Sequence, residues 1–411
     1  MKRVILHADM NNCFASIEMS LNPSLKNKAV AVCGSTEDRH GIVLAKSEKA
    51  KEYGVKTGDV IWQAKNKCPG LIIVKPHYDE YLKYSRRARK IYYEYTNQVE
   101  PFGLDECWLD VSGSLKLFGT GEEIADQIRK RIKEELGITV SVGVSFNKIF
   151  AKIGSDIKKP DATTIITEEN FKKKIWPLDV DYIIGIGNKT RKKLNNIGIF
   201  TIGHLANTDP EILRNLLGIN GLYLFRYANG LDKSEVKDLT YISPVKSIGH
   251  GITCTEDLKN NEEVDHVFKE LSFSIAKRLY ENNLKACGVS ISIRDNRLFT
   301  RQFQTKLEVP TESGIIIAKT AYELFINKYK WDNNIRSLSI RAIDLSKDIG
   351  IIQTDMFYDF KYHEKREKLD TAIYKIRKKY GDKSLTFASL MGDIKIPQNK
   401  SDICTLPNIY N

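Results

Sequence analysis

The first apolar run of the chain, Val4-Ile5-Leu6-His7-Ala8, ends on an acid, Asp9. A run so short, apolar and β-prone reads as a buried strand. An ionised carboxylate at the end of a buried strand is costly unless something pairs with it, and a divalent cation is the usual compensation. The same conflict recurs at Asp105-Glu106, which heads the β-run Glu106-Cys107-Trp108-Leu109-Asp110-Val111 just after Pro101-Phe102-Gly103. Strict alternation would put Asp105 and Glu106 on opposite faces, but Gly103 allows a tight turn that lets both reach one place. Alone, these acids read either as a two-metal phosphoryl-transfer site or as plain caps to strand ends.

Composition bounds the rest. The 411 residues are 42% hydrophobic and 28% charged, which describes a globular protein with real cores. That length suggests roughly two to four domains. The net charge of +12 points to an anionic partner. No apolar run approaches the ~20 residues that span a bilayer, and His7 and Asp9 interrupt the N-terminus too soon for a signal peptide, so a cytoplasmic protein without a membrane partner is expected. The seven cysteines never stand C-x-x-C, which favours free thiols over a disulfide framework or a structural zinc site.

Periodicity predicts an order of strand (Val4–Asp9), helix (from Asn12), two short strands with a helix closing at Gly54, and a longer helix over Asp79–Thr96. The strands Glu106–Val111 and Ile138–Ser145 follow, with the amphipathic helix Glu122–Leu136 between them, an α+β layer unit. From about residue 168 short helices are punctuated by glycine, and a polar linker runs from Asp232 to Asp238. Residues 244–348 alternate helix and strand as a second α/β sandwich, and the tail carries one basic helix, Glu364–Lys379. Within 181–198, Gly185 and Gly187 sit between apolar flanks and a basic stretch that begins Lys189-Thr190, a helix-hairpin-helix signature. Such glycines let backbone N–H groups at a helix start approach a DNA phosphate. Gly218 and Gly221 form a second, weaker copy.

Three motifs carry a resemblance. His7-Ala-Asp9-Met10-Asn-Asn12-Cys13-Phe14 resembles the opening motif of the Y-family (translesion) DNA polymerases of the DinB type, and Gly103-Leu-Asp105-Glu106-Cys-Trp-Leu-Asp110 resembles their catalytic hairpin. Ser141 to Pro160, with Asn147, Lys148, Lys152 and Lys159, is similar to their palm helix and phosphate-binding lysine. The resemblance implies a multidomain α+β right-hand polymerase. Its parts would be a palm (1–10 and 79–167), small fingers (11–78), a helix-hairpin-helix thumb (168–233), a linker (234–243), an α/β little finger (244–348) and a tail (349–411).

It also implies residue roles. Asp9, Asp105 and Glu106 would be catalytic carboxylates that hold two Mg²⁺ ions, with the Met10 carbonyl completing the nucleotide-side metal. Phe14 would be the steric gate against ribonucleotides. Asn12, Cys13, Phe14, Lys51 and Lys159 would contact the nucleotide. Gly185, Gly187, Lys189, Thr190, Gly218, Gly221, Arg294, Arg297 and Arg301, with Lys306 beside them, would hold template–primer DNA by its backbone. Gln353, Met356 and Phe357 are similar to a peptide that binds the sliding clamp (beta subunit), and a monomer is expected. Two positions depart from the family pattern: Asn11 stands where many relatives have an acid, and Ser47-Glu48 where an Asn-Tyr pair is common. Glu48 would repel a triphosphate unless Lys49 or Lys51 compensates or the helix is rotated. The competing readings are a palm-fold nucleotide cyclase and a catalytically weak DNA- and clamp-binding regulator.

Overall fold

Parity along the first strand sets the layout. In β1 (Ile5–Met10) the even positions Leu6, Ala8 and Met10 are apolar while His7 and Asp9 share the opposite face. The computed structural model describes residues 3–36, 39, 41–347, 360–382 and 384–397. The further strands are β2 (Val30–Cys33), β3 (Val43–Lys46), β4 (Ile72–Val74), β5 (Val99–Phe102), β6 (Glu106–Asp110), β7 (Val140–Ser145) and β8 (Thr163–Ile165). After them come β9 (Ile248–Leu258), β10 (Leu284–Asp295), β11 (Thr300–Thr311) and β12 (Ile335–Lys347). The chain divides into two compact units, one built of residues up to Gly34 with Ile42–Ser243, the other of Ser35–Gly41 with Pro244–Ser401.

In the first unit a five-stranded sheet runs β5-β6-β1-β7-β8, with β1 antiparallel to both neighbours. Leu6, Ala8 and Met10, with Cys107, Leu109 and Val142, pack under the helices Tyr78–Tyr93 and Gly121–Leu136. The second of these is fixed at both ends, by a Thr120–Glu123 capping box and by Gly137 in the left-handed conformation. The opposite face takes the helix Lys148–Ile157, which Asn147 caps by accepting from the Phe150 N–H. This helix rests on Gly143, where an added Cβ would lie 1.9 Å from the Ala151 carbonyl oxygen. Only glycine permits that approach of helix backbone to sheet.

A three-stranded sheet, β3-β2-β4, closes over its own small core of Ala31, Cys33, Val43, Ala50 and Ala64. The short helices Asn188–Asn195, Pro210–Leu217 and Ile219–Ala228 surround Ile183, Leu194, Leu205, Leu213 and Leu224.

The second unit is an antiparallel sheet in the order β11-β10-β12-β9. The helices Asn261–Glu281 and Gly314–Lys328 cover one face of it, over a core that includes Phe268, Ile275, Ile291, Phe325 and Ile340. A third layer lies outside these helices: the helix Phe360–Tyr380 packs Tyr374 against Tyr280 with the rings tilted and sets the Arg377 guanidinium 3.9 Å from the centre of the Phe273 ring. Among the described residues no helix is long and apolar enough to cross a membrane, and the six described cysteines are free thiols.

Candidate active site and nucleic-acid interface

Because β1 and β6 run antiparallel with Asp9 directly opposite Glu106, these two carboxylates share the polar face of the sheet. Asp105 precedes the strand, in a turn whose Gly103 has φ +87°. It thereby escapes the alternation that would have turned it away from Glu106, and its own carbonyl accepts from the Met10 N–H at 3.0 Å. Turn chemistry and register together bring the three acids to one end of the strand pair.

The helix seated on Gly143 and the segment just after it supply cations to them. Lys159 Nζ lies 2.6 Å from Asp9 and 2.8 Å from Asp156, and Lys152 Nζ lies 2.5 Å from Glu106. Buried His7 stands with Nε2 3.3 Å from Glu106 and Nδ1 2.8 Å from the Ser155 hydroxyl. Burial holds His7 below its ordinary pKa. Burial also pushes Glu106 up, but His7 and the Lys152 ammonium outweigh it and bring this carboxyl down to about 2. Asp105 is different. Burial, then the charges of Asp9 and Glu106, push it up to about 6. It has no ion pair among the described residues, so the excess negative charge of the trio falls on it.

Among the described residues no three ligand-type side chains form a ready metal cage, since Asp9 and Glu106 are turned onto amines. The donor set nevertheless suits a hard divalent cation: oxygen ligands, an uncompensated Asp105, and amines in the place a metal charge would take. Sequence reading missed His7, Lys152 and Ser155 as partners of the acids. Their signal was present, in the parity of His7 with Asp9 and in lysines recurring at helical spacing.

Around the start of the helix Cys13–Leu21 the expected nucleotide residues separate. Asn12, in the left-handed region at φ 48°, donates from Nδ2 to Glu48 at 2.8 Å. Lys51 Nζ stands 3.7 Å from the other Glu48 oxygen, whereas Lys49 turns to the Asn27 carbonyl. Of the two compensations expected for Glu48, Lys51 is the one that forms. The Cys13 thiol is buried against Met10, and burial pushes its pKa well up, so the thiol itself is turned into the core. The Phe14 ring stacks on Tyr81 at 4.2 Å and meets Tyr78 edge-on. Tyr81 is itself anchored by donating to buried Glu18.

The two glycine pairs also part company. Gly185 has φ +93°, Gly187 starts the helix that carries Lys189 and Thr190, and a Cβ on either would meet nothing within 4 Å. Their bareness faces outward. Gly218 is similarly open, at φ +66°, but a Cβ on Gly221 would lie 2.1 Å from the Leu213 carbonyl oxygen. Gly221 is there for the contact between two helices, which corrects its reading as a phosphate contact.

In the second unit, register decides which cations share a face. Arg294, Gln302, Gln304, Lys306 and Arg341 lie on the open side of the sheet, with small residues such as Ser292, Ser339 and Gly251 between them. Arg297 is exposed in the connecting turn. Arg301 stands opposite buried Ile293, so its side chain leaves on the helix side, where Asp332 holds it at 2.8 Å over Tyr329. This corrects its expected place, and Arg341 joins the open face instead. Gln353, Met356 and Phe357 lie outside the described residues.

The impB/mucB/samB family matches residues 8–156, its C-terminal domain residues 245–356, and the IMS family HHH motif residues 168–199. The DNA polymerase IV of Acetivibrio thermocellus is 51% identical over 96% of this chain and 98% of its own length. DNA polymerase IV 1 of Bacillus subtilis is 39% identical over 93% and 91%. The chain belongs to the Y family of DNA polymerases. A solved Y-family DNA polymerase chimera of Dbh and Dpo4 shares the fold, with a TM-score of 0.74 at 24% identity over 84% of this chain and 100% of its own. Y-family membership brings a right-hand architecture and, in general terms, dependence on a divalent metal, template–primer DNA and dNTPs. The matched hairpin motif falls on the outward glycines Gly185 and Gly187, not on Gly221.

Proposed function

We propose that this chain is a DNA-templated, translesion-type DNA polymerase whose centre is Asp9, Asp105 and Glu106. One observation carries the site assignment: β1 register and the Gly103 turn gather these acids beneath a helix that answers them with Lys152, while Lys159 just past its end answers Asp9. Two Mg²⁺ ions held by these carboxylates and the Met10 carbonyl would polarise the primer hydroxyl and neutralise the phosphates. The chain's own groups do the rest. Lys159, released from Asp9, meets the triphosphate with Lys51, while Asn12 and the Cys13 backbone position it. The Phe14 ring, backed by Tyr81, leaves no room under the sugar for a 2′-hydroxyl. The outward glycines, with Lys189 and Thr190, and the open sheet face with Arg294, hold the duplex.

Low fidelity without proofreading in damage tolerance fits the family, and the cyclase and regulator readings are not favoured by polymerase relatives along nearly the whole chain. The Gln353, Met356 and Phe357 segment supports recruitment by the sliding clamp, with the protein acting as a monomer in the cytoplasm. Primer extension on a short template with each dNTP, with Mg²⁺ and with chelator, tests the reading. Templated addition that requires the ion is expected, and no addition under any divalent metal would end it.

A further inference from the structure

The matched family domains stop at residue 356, yet the helix Phe360–Tyr380 beyond them is tied firmly onto the second unit. Its inner face carries the attachments: Asp370 accepts from Ser313, Glu367 pairs with Lys285 at 3.2 Å, and Tyr374 and Arg377 lie on Tyr280 and Phe273. The charges on its outer face are predominantly positive, with Glu364 the acid beside them. Lys361, Lys365, Lys368, Ala372, Lys375 and Lys379 are all exposed and follow each other at i, i+4, i+7, i+11, i+14 and i+18, the spacing of a single helical stripe. At 1.5 Å per residue the stripe is about 27 Å long.

The exposed face of the long helix Gly121–Leu136 mixes and pairs its charges. Along Gly121–Leu136, Lys130 faces Glu134, Lys133 faces Asp161 and Arg131 faces Glu94 and Glu135. On the outer stripe only Lys368 has such a partner, Glu364; among the described residues Lys361, Lys365, Lys375 and Lys379 have no ion pair. A solvated face gains from mixed signs, because i,i+4 pairs of opposite charge support a helix and like charges oppose it. Five lysines in line therefore cost helix stability, and a row of phosphates is the partner that compensates them.

We infer that the outer face of the Phe360–Tyr380 helix is a second nucleic-acid surface, which binds the sugar–phosphate backbone of DNA without reading sequence. It lies on the far side of the helical layer from the open sheet face of the same unit. One sheet-to-helix and one helix-to-helix spacing, roughly 20 Å together, separate the two surfaces. They point in opposite directions, so one straight duplex does not lie on both, and the stripe takes a different stretch of DNA from the one on the sheet. The inference leans on the polymerase reading only in naming DNA as the polyanion.

The test is equilibrium binding of a second, labelled duplex to the full-length protein already saturated with unlabelled template–primer, across a series of KCl concentrations. Each lost phosphate contact lowers the slope of log K against log salt by about 0.9. Replacing Lys361, Lys365, Lys375 and Lys379 together with Ala is expected to lower it by about 3 to 4. The corresponding four-fold Arg variant is expected to retain it. Circular dichroism and melting of both variants establish that the helix is intact. Arg294→Ala with Arg341→Ala is expected to leave this slope unchanged, since the surfaces are separate. An unchanged slope in a folded four-fold Ala variant overturns the proposal, even if that variant loses an acidic protein partner. The parent's own primer extension decides the polymerase reading independently.

Discussion

The acid cluster of the first unit and the open sheet face of the second both meet DNA chemistry, but they are built in opposite ways. In the cluster the groups are fixed by close contacts: Glu106 has His7 and Lys152, Asp9 has Lys159, and Asp105 has its turn. On the sheet face, cations stand apart among serines and glycines with little to hold them. A reaction centre concentrates its function in a few interdependent groups, whereas a sequence-blind grip spreads it over many nearly independent ones. Removing one member should ruin the first and merely weaken the second.

The strongest way to break that contrast is Asp105→Ala. Loss of a group on which the metal charge rests should reduce extension by at least ~10³-fold while duplex affinity in a gel-shift titration stays within about two-fold. Retained extension of more than a few percent would remove Asp105 from the centre.

Phe14→Ala comes next. A ring under C2′ both fills space and leaves a ribose hydroxyl unsatisfied, a penalty of roughly 1–3 kcal/mol, so discrimination in single-nucleotide insertion of dCTP against CTP should fall by about 10–100-fold. A variant that melts early with its discrimination unchanged would reduce the ring to a packing partner of Tyr81.

The glycine pairs sharpen the comparison within one region. Gly221→Ala should destabilise the protein by about 1–3 kcal/mol in a thermal melt, because its Cβ meets the Leu213 backbone. Gly187→Ala should melt like the parent and bind duplex several-fold more weakly. If both variants behaved alike, the distinction between inward and outward glycines would fail.

On the sheet face, Arg294→Ala and Arg341→Ala should each lower the salt slope of duplex binding by about 0.9 and do so additively. The smallest effect belongs to Glu48→Gln. Relieving Lys51 of its carboxylate should lower KM for dNTP a few-fold with kcat unchanged, and a raised KM would mean that Glu48 helps rather than hinders the nucleotide.

These outcomes bear on what a sequence can show. The strand that ends in Asp9, the capped helix after Thr120 and the outward glycines were legible because local chemistry alone decides them. β5 was not, since Pro101 argues against a strand until the strand is known to be at the sheet edge, where a missing N–H costs no ladder bond. Arg301 was misplaced because a single step of register moves a side chain through the sheet. Gly221 and the amines over the acids depend on what packs opposite, and no run of letters states that.

Gly143 brings no functional group of its own, yet it sets the clearance between a floor of acids and a ceiling of amines. A methyl group there would start 1.9 Å from the Ala151 oxygen, while carbon and oxygen in contact need more than about 3 Å, so the ceiling would have to rise by about 1 Å. Lys152, on that helix, meets Glu106 at 2.5 Å, and a rise of that size stretches the contact to about 3.5 Å, the edge of hydrogen-bond range. The gauge of the reaction chamber is thus machined into the backbone at the one residue without a side chain, and a change there would pass for damage to the chemistry.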